Sequence, residues 1–441
     1  MNFFRYLVRL SIAYLNRFKG LIIAGTILGI LVFVFVNFLR PIIFGKSIEK
    51  IGITGRHHTD SLPIWIQELI GDGLTKVNEN GNAEPNLAQS WESPDKGKTW
   101  IFRLKDGLFW QDGEKVTSDS VVYQFSEVEI ERPDEKTIVF KLKEPFSPFP
   151  MAVSRPTFKK GLLGTGEWEV TKVSLGQGNF VQKLSLKNKS GDKKNINFYP
   201  TEERTKLAYK LGEVDILYEL LDPKPYDSWS NNTQVLEDVD IDKVVVIFFN
   251  TKDKFLSDKS LRQSLIYGLS KELGGPRAIS SISPNSWAYN PQVKKYSYDA
   301  ERAKELFDDV PGELKENLSI GLVTTPALIS IAEEISRQWK EIGINTFVQI
   351  TAGIPQEFQA YLAIFDIPTD PDQYSIWHST QTTTNISRYE NPRIDKLLED
   401  GRVELDLEER RKIYLDFQRF LIEDSPAVFL YHPASYTILR K

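Results

Sequence analysis

The chain contains no cysteine. That absence excludes disulfides and thiolate metal sites, and it excludes a lipid-modified anchor, which needs a Cys directly after an apolar run. Histidine is scarce: His57, His58, His378 and His432 are the only four, and none stands four positions from another with a carboxylate in support. A zinc site of the HExxH kind is therefore missing, and His57 and His58, as strand neighbours, point to opposite faces and make a poor chelate. No GxSxG, Walker A or GxGxxG arrangement occurs in a strand-to-helix context, and Gly274-Gly275-Pro276 reads as a helix stop. The sequence gives no basis for a catalytic residue, a metal or a cofactor. A net charge of −5, mixed in sign along the chain, gives none for a nucleic-acid partner.

What is present begins with an apolar run. Leu21 to Leu39 carries no charge and, at about 1.5 Å per residue, reaches roughly 28 Å, the thickness of a bilayer core. Arg5, Arg9, Arg17 and Lys19 precede it with no acidic residue among them, so the positive-inside rule sets the N-terminus in the cytoplasm and the rest outside. The run is longer than the core of an ordinary signal peptide, and no small-x-small cleavage site follows. The expectation is a single-pass anchor: a cytoplasmic or interfacial segment over 1–20, the span over 21–39 and a spacer over 40–50. The exported part, without disulfides, must be held by burial, and it is long enough for two or three domains.

Periodicity divides that part. A first strand is expected at Ile51–Thr54. Residues 71–142 read as short strands and turns, with clear alternation in Trp100–Leu104 and Thr137–Leu142, Phe109 and Trp110 packing the sheet, and a short helix over Ser118–Phe125. Glu202–Gly212 reads as a helix feeding a strand at Val214–Tyr218. KVVVIFFN, Lys243–Asn250, is a continuous β-branched and aromatic run, a strand buried on both faces or one crossing between lobes. Ser257–Leu273 follows as an amphipathic helix with Leu261, Leu265, Leu269 and Leu273 on one stripe. Helix and strand then alternate: Asp299–Asp308, Leu318–Val323, Ala327–Ile342, Asn345–Ile350, Glu357–Phe365. A helix capped by Asn391 and Pro392, another started by Asp406 over Leu407–Ile422, and a strand at Ala427–Tyr431 complete the pattern. Such alternation implies an α/β lobe with a largely parallel sheet. Aromatics make up 12% of residues, with 9 Trp and 17 Tyr against 2 Met, a surplus that suits a cleft gripping varied side chains.

An ordered set of phrases, GLTKVNENGNAEPNLAQSWE, WIFRLKDGLFWQDGEKVTSDSVVYQF, GTGEW, KLGEVDIL, FFNTKDKFLSDKSLRQSLIYGLSKE, YDAERAKELF and DPDQYSIWHS, resembles the family 5 extracellular solute-binding proteins of ABC importers. The likeness runs from about Gly52 to Tyr436. It implies a type II periplasmic-binding-protein fold: a first lobe over 51–242, with a small β-rich subdomain at about 75–150, a second lobe over 243–430, and a return to the first over 431–441. Between the Ser118 segment and the Lys136 strand about ten residues intervene where relatives carry a longer insertion, so that subdomain is reduced.

The resemblance also implies function. Family members capture oligopeptides, dipeptides and, in some cases, nickel complexes or sugars, and deliver them to a permease with its ATPases. A peptide would lie extended between the lobes and pair its backbone with strands. The matching strands are Gly52–Gly55, contributing Ile53 and Thr54, and Tyr361–Phe365, contributing Ala363 and Phe365. Relatives place a carboxylate just beyond the second strand for the ligand's amine. Aligned on Asp370-Pro371, that position is Ile367, and Asp366 stands one residue early, so a local bulge must restore it or the receptor does not read a free amine. Trp287, Tyr289, Tyr374 and Trp377 are further cleft candidates, Tyr374 and Trp377 because they follow DPDQ in a loop. Closure would bend strands near Phe248 and Phe429. The same fold also serves a sensor or surface receptor without an importer, or a receptor for a non-peptide ligand such as a sugar or a metal chelate.

Overall fold

The computed structural model describes residues 17–20, 25, 28–29, 31–33, 48–228, 231–270, 272–316 and 318–441. Most of the segments assigned to 1–20, 21–39 and 40–50 lie outside the described residues. Among the described residues no helix is long and apolar enough to cross a membrane.

KVVVIFF forms a strand, Lys243–Phe249, whose last six residues are all buried. It sits inside a five-stranded sheet between Ala360–Asp366 and Ala427–Tyr431, with Ser319–Thr324 and Asn345–Ile350 beyond. An amphipathic helix, Ile329–Glu341, presents Ala332, Ile335 and Trp339 inward, and Leu261 and Leu265 do the same from Lys259–Tyr267. This sheet is not largely parallel. Ser319–Thr324 runs parallel to both its neighbours, whereas 243–249 is antiparallel to both of its own. The reason is topological: 243–249 enters from the other sheet and 427–431 leaves toward it, so neither needs the helical crossover that parallel pairing requires.

The first sheet has seven strands, in the order 233–239, 434–440, 216–220, 48–54, 193–199, 181–188 and 168–175. Its first strand begins at Ile48, inside the expected spacer, because Ile48–Lys50 pairs with Lys193–Asn195. A separate four-stranded antiparallel sheet, 88–92, 99–104, 137–142 and 128–134, carries its own aromatic core of Trp100, Phe102, Trp110, Phe140 and Phe149. Phe109 beside it is exposed.

Two local expectations fail for identifiable reasons. The Ser118–Phe125 helix is a single 3-10 turn, Ser118–Ser120, because Arg132 takes the Ser118 and Val121 carbonyls, at 2.7 and 3.1 Å, that a helix would use. The 257–273 helix stops at Tyr267. A Cβ on Gly268 would lie 2.6 Å from the Ile342 side chain, so a larger residue there would have to displace that buried side chain. Arg262, on this helix, is buried and donates at 2.7 to 3.0 Å to the carbonyls of Leu256 and Ser257 and to those of Asp424 and Ser425, capping the C-terminal end of the helix Leu407–Asp424.

The chain crosses between the two large sheets twice, at 240–242 and at 432–433. Phe248 and Phe429 lie within the second sheet's core and not at the crossings.

Candidate functional site

Strand direction decides where a ligand can sit. In the first sheet 48–54, 193–199, 216–220 and 233–239 all run parallel and end toward the crossings. In the second, Ser319–Thr324, Asn345–Ile350 and Ala360–Asp366 end toward them too. The carboxyl ends of both sheets therefore face one cleft, the position at which open α/β sheets bind ligands.

The floor of the cleft is stitched across the crossings. The Asp240 N–H donates to the Pro433 carbonyl at 3.0 Å, and the Ile367 N–H to the Asp242 carbonyl at 2.7 Å. His432 Nδ1 lies 2.8 Å from the Lys243 carbonyl, and Ser283 Oγ donates to the Asp242 carboxylate at 2.9 Å.

Asp366 ends its strand here, opposite Lys243 and exposed. The ladder with 243–249 is unbroken, so no bulge restores the residue; its place at the strand end brings it to the cleft. From the first sheet comes Glu219, held at φ +54 in a bulge of the strand Ile216–Leu220. Burial raises the Glu219 carboxyl above the usual carboxylate range, the Lys243 charge opposes this, and Asp240 and Asp366 add to it. Burial works against the Lys243 ammonium, yet its hydrogen bond to Asp240, 2.7 Å away, with the fields of Asp240, Glu219 and Asp366, holds it above its ordinary value. Three carboxylates thus share one ammonium, leaving the group short of positive charge. Tyr218, next to Glu219, meets the Trp65 ring at 4.8 Å, and the buried Trp65 indole N–H has no acceptor among the described residues.

The other expected residues are dispersed. Ile53 is buried in a strand paired on both sides, so neither of its edges is open to a ligand strand; Thr54, half-buried, is paired with 193–199 alone, and its Oγ1 meets Thr205 Oγ1 at 2.8 Å. Ala363 is buried and Phe365 packs edge-on to Phe248, but the ladder with 319–324 stops at Leu362, so one edge of 363–366 has no strand partner among the described residues.

Trp377 is not a loop aromatic. It closes a four-residue helix, Tyr374–Trp377, is 1% exposed, donates to Gln373 Oε1 at 2.9 Å and packs on Phe248 and Phe429. Tyr374 is sandwiched between His378, 4.0 Å away, and the Arg402 guanidinium at 4.4 Å; Arg402 also lies 5.0 Å over Phe146 of the small subdomain. Trp287 lines a separate pocket of about 240 Å³ with Asn82, Trp91, Met151, Asp370 and Arg410. Tyr289 is half-buried after a turn closed by its N–H on the Ser286 carbonyl. Glu219, Asp240 and Lys243 escaped the sequence reading, since only the bulge and the crossing bring them together.

Two lobes joined by two crossings, with a cleft at their strand ends, make the architecture of a two-lobed solute-binding protein. It is similar to the crystal structure of NikZ from Campylobacter jejuni in complex with Ni(L-His), at a TM-score of 0.75 and 20% identity over 90% of this chain and 94% of that one. It is also similar to AppA from Bacillus subtilis in complex with a nonapeptide, at 0.69 and 22% over 90% and 95%. In sequence, the oligopeptide-binding protein AppA of Bacillus subtilis is 25% identical over 90% of this chain and 86% of its own length. The nickel-binding periplasmic protein of Escherichia coli is 22% identical over 85% and 84%. The model of the bacterial extracellular solute-binding proteins, family 5 Middle, matches residues 82–128 and 125–385. The chain belongs to the family 5 bacterial extracellular solute-binding proteins.

Proposed function

We propose that this protein captures short peptides in the cleft between its lobes and hands them to the permease of an ABC importer, held at the membrane by the apolar segment Leu21–Leu39 with the lobes outside. The observation that carries the peptide reading is Asp366. It ends a strand with one open edge and stands within electrostatic reach of Glu219 from the opposite lobe. A ligand ammonium placed there meets two carboxylates, one per lobe, and so favours the closed form over the open one. The open edge of 363–366 supplies backbone groups indifferent to side chains, which suits a receptor of many sequences. Relatives named for oligopeptide binding support the same reading.

Calorimetric titration of the full-length chain tests it. Saturable binding of short peptides supports the proposal. Binding of a nickel–histidine complex with no peptide binding at all overturns it in favour of a chelate receptor.

A further inference from the structure

The small β-rich subdomain is fixed to the first lobe and touches the second. Gln111 rivets it to the first: its side chain accepts from the Gly164 N–H at 3.2 Å and donates to the carbonyls of Ile70, Gly166 and Trp168 at 3.0 to 3.1 Å. The subdomain therefore moves with the first lobe, and whatever it holds on the second must be released when the lobes part.

What it holds is the end of a helix. Phe146 packs on the subdomain's aromatic core and donates its N–H to the Gly97 carbonyl at 2.9 Å. The next residue, Ser147, donates its N–H to the Arg402 carbonyl at 2.8 Å and its hydroxyl to the Gly401 carbonyl at 3.4 Å. Both carbonyls lie in the last turn of the second-lobe helix Pro392–Val403, where they have no intrahelical partner. Arg402 reaches back the other way. Its guanidinium lies 5.0 Å over the Phe146 ring and 4.4 Å over Tyr374 of its own lobe, with Nε 3.2 Å from the buried Asp372 carboxylate. A second touch is made by the turn between 75–77 and 83–85. A Cβ on Gly81 there would lie 3.8 Å from Ser286 Cα and 3.9 Å from the Thr369 carbonyl oxygen, ordinary contact distances. Gly81 and Ser147 both border the pocket of about 240 Å³ that Trp287 lines, so its walls come from both lobes.

We propose that the contact of Phe146 and Ser147 with Arg402 is a clasp that populates the closed form without touching the ligand, and so raises the affinity for every ligand by one common factor. It rests on the reading that a ligand is captured by closure of the lobes, and not on that ligand's being a peptide. On opening, a cation leaves an aromatic ring and a backbone hydrogen bond is exchanged for water. Apparent affinity follows the population of the competent form, so a clasp apart from the cleft acts on all ligands alike.

The test is a distance. The chain has no cysteine, so Lys187→Cys in the first lobe and Lys304→Cys in the second, both at exposed positions, carry a pair of spin labels in the full-length protein without interference. With no ligand added, pulsed electron resonance should show a short and a long separation. Phe146→Ala and Arg402→Lys, the latter keeping a charge beside Asp372, should each lower the ratio of short to long by roughly 2- to 30-fold. The double variant should lose no more than the larger single loss, because both changes remove one contact. A single long separation in the unaltered lobes, or a ratio that neither variant changes, overturns the clasp. Titration with a tripeptide mixture, free and N-acetylated, is the second readout. Each variant should weaken both forms by the same factor, and unequal losses overturn the proposal by placing these residues on the ligand. If no peptide binds at all, the peptide reading falls and the label distances still decide the clasp.

Discussion

Arg410 and Asp370 form a two-point ion pair, with Nη2 to Oδ1 at 2.6 Å and Nη1 to Oδ2 at 3.0 Å, and their side chains are 7% and 12% exposed. Arg410 also donates from Nε to the Gly401 carbonyl at 2.8 Å and lies 5.3 Å over Trp287, so it fastens the segment after the Asp366 strand to the last two helices. Removing one partner leaves a buried charge alone. Arg410→Ala is expected to cost about 3–5 kcal/mol in chemical denaturation. A loss under about 1 kcal/mol would mean that the pair is solvated in solution.

Arg262 makes its four carbonyl contacts with a fork that lysine lacks. Arg262→Lys strands several acceptors and is expected to destabilise by about 2–4 kcal/mol while leaving peptide affinity unchanged, because the site is internal to one lobe. Equal stability of the two proteins would show that the lysine ammonium reaches the same carbonyls.

The phrase GTGEW has a backbone reason. A Cβ on Gly164 would lie 2.1 Å from the Ile70 carbonyl oxygen, and Gln111 ties this crossing together by accepting from the Gly164 N–H and donating to the carbonyls of Ile70, Gly166 and Trp168. Gly164→Ala forces backbone apart and is expected to cost about 1–3 kcal/mol or more, read as a lowered denaturation midpoint. An unchanged midpoint would contradict this packing.

Glu219 carries a pH prediction. Its carboxyl titrates above the usual range in the folded protein, so between the ordinary value and the raised one the folded state binds more protons than the unfolded state. By linkage its contribution to stability therefore falls as pH rises through that window and stays low above it. Glu219→Gln removes the contribution. The variant should gain on the unaltered protein as pH rises above the ordinary carboxylate range. Parallel stability curves for the two proteins would place Glu219 in ordinary solvent.

Strands bounded by polar residues were legible in the sequence. Thr137–Leu142, Asn345–Ile350 and Ala427–Tyr431 all stand where alternation or a continuous apolar run placed them, because side-chain period and burial decide such elements locally. Asn391 caps its helix by accepting from the Arg393 N–H at 2.9 Å, as a short-range signal should. What failed depended on distant partners. Arg132 unmade the Ser118 helix from fourteen positions away, and Trp377 packs into the core against Phe248 and Phe429. Glu219 faces the cleft only through a left-handed bulge, and Lys243 joins it only through a crossing, neither of which has a periodic signature. Asp366 was named from the resemblance, but its access to the cleft came from the strand's end and not from a bulge.

The most direct measurement is the affinity of one tripeptide mixture, free or N-acetylated, for the full-length chain and for Asp366→Asn. If Asp366 holds the ligand's amine, the unaltered protein prefers the free amine by about 1.5–3 kcal/mol, roughly 10- to 150-fold, and Asp366→Asn loses most of that preference while binding the acetylated peptides as before. Equal losses for free and acetylated peptides in Asp366→Asn would contradict the assignment of Asp366 as the amine-binding residue.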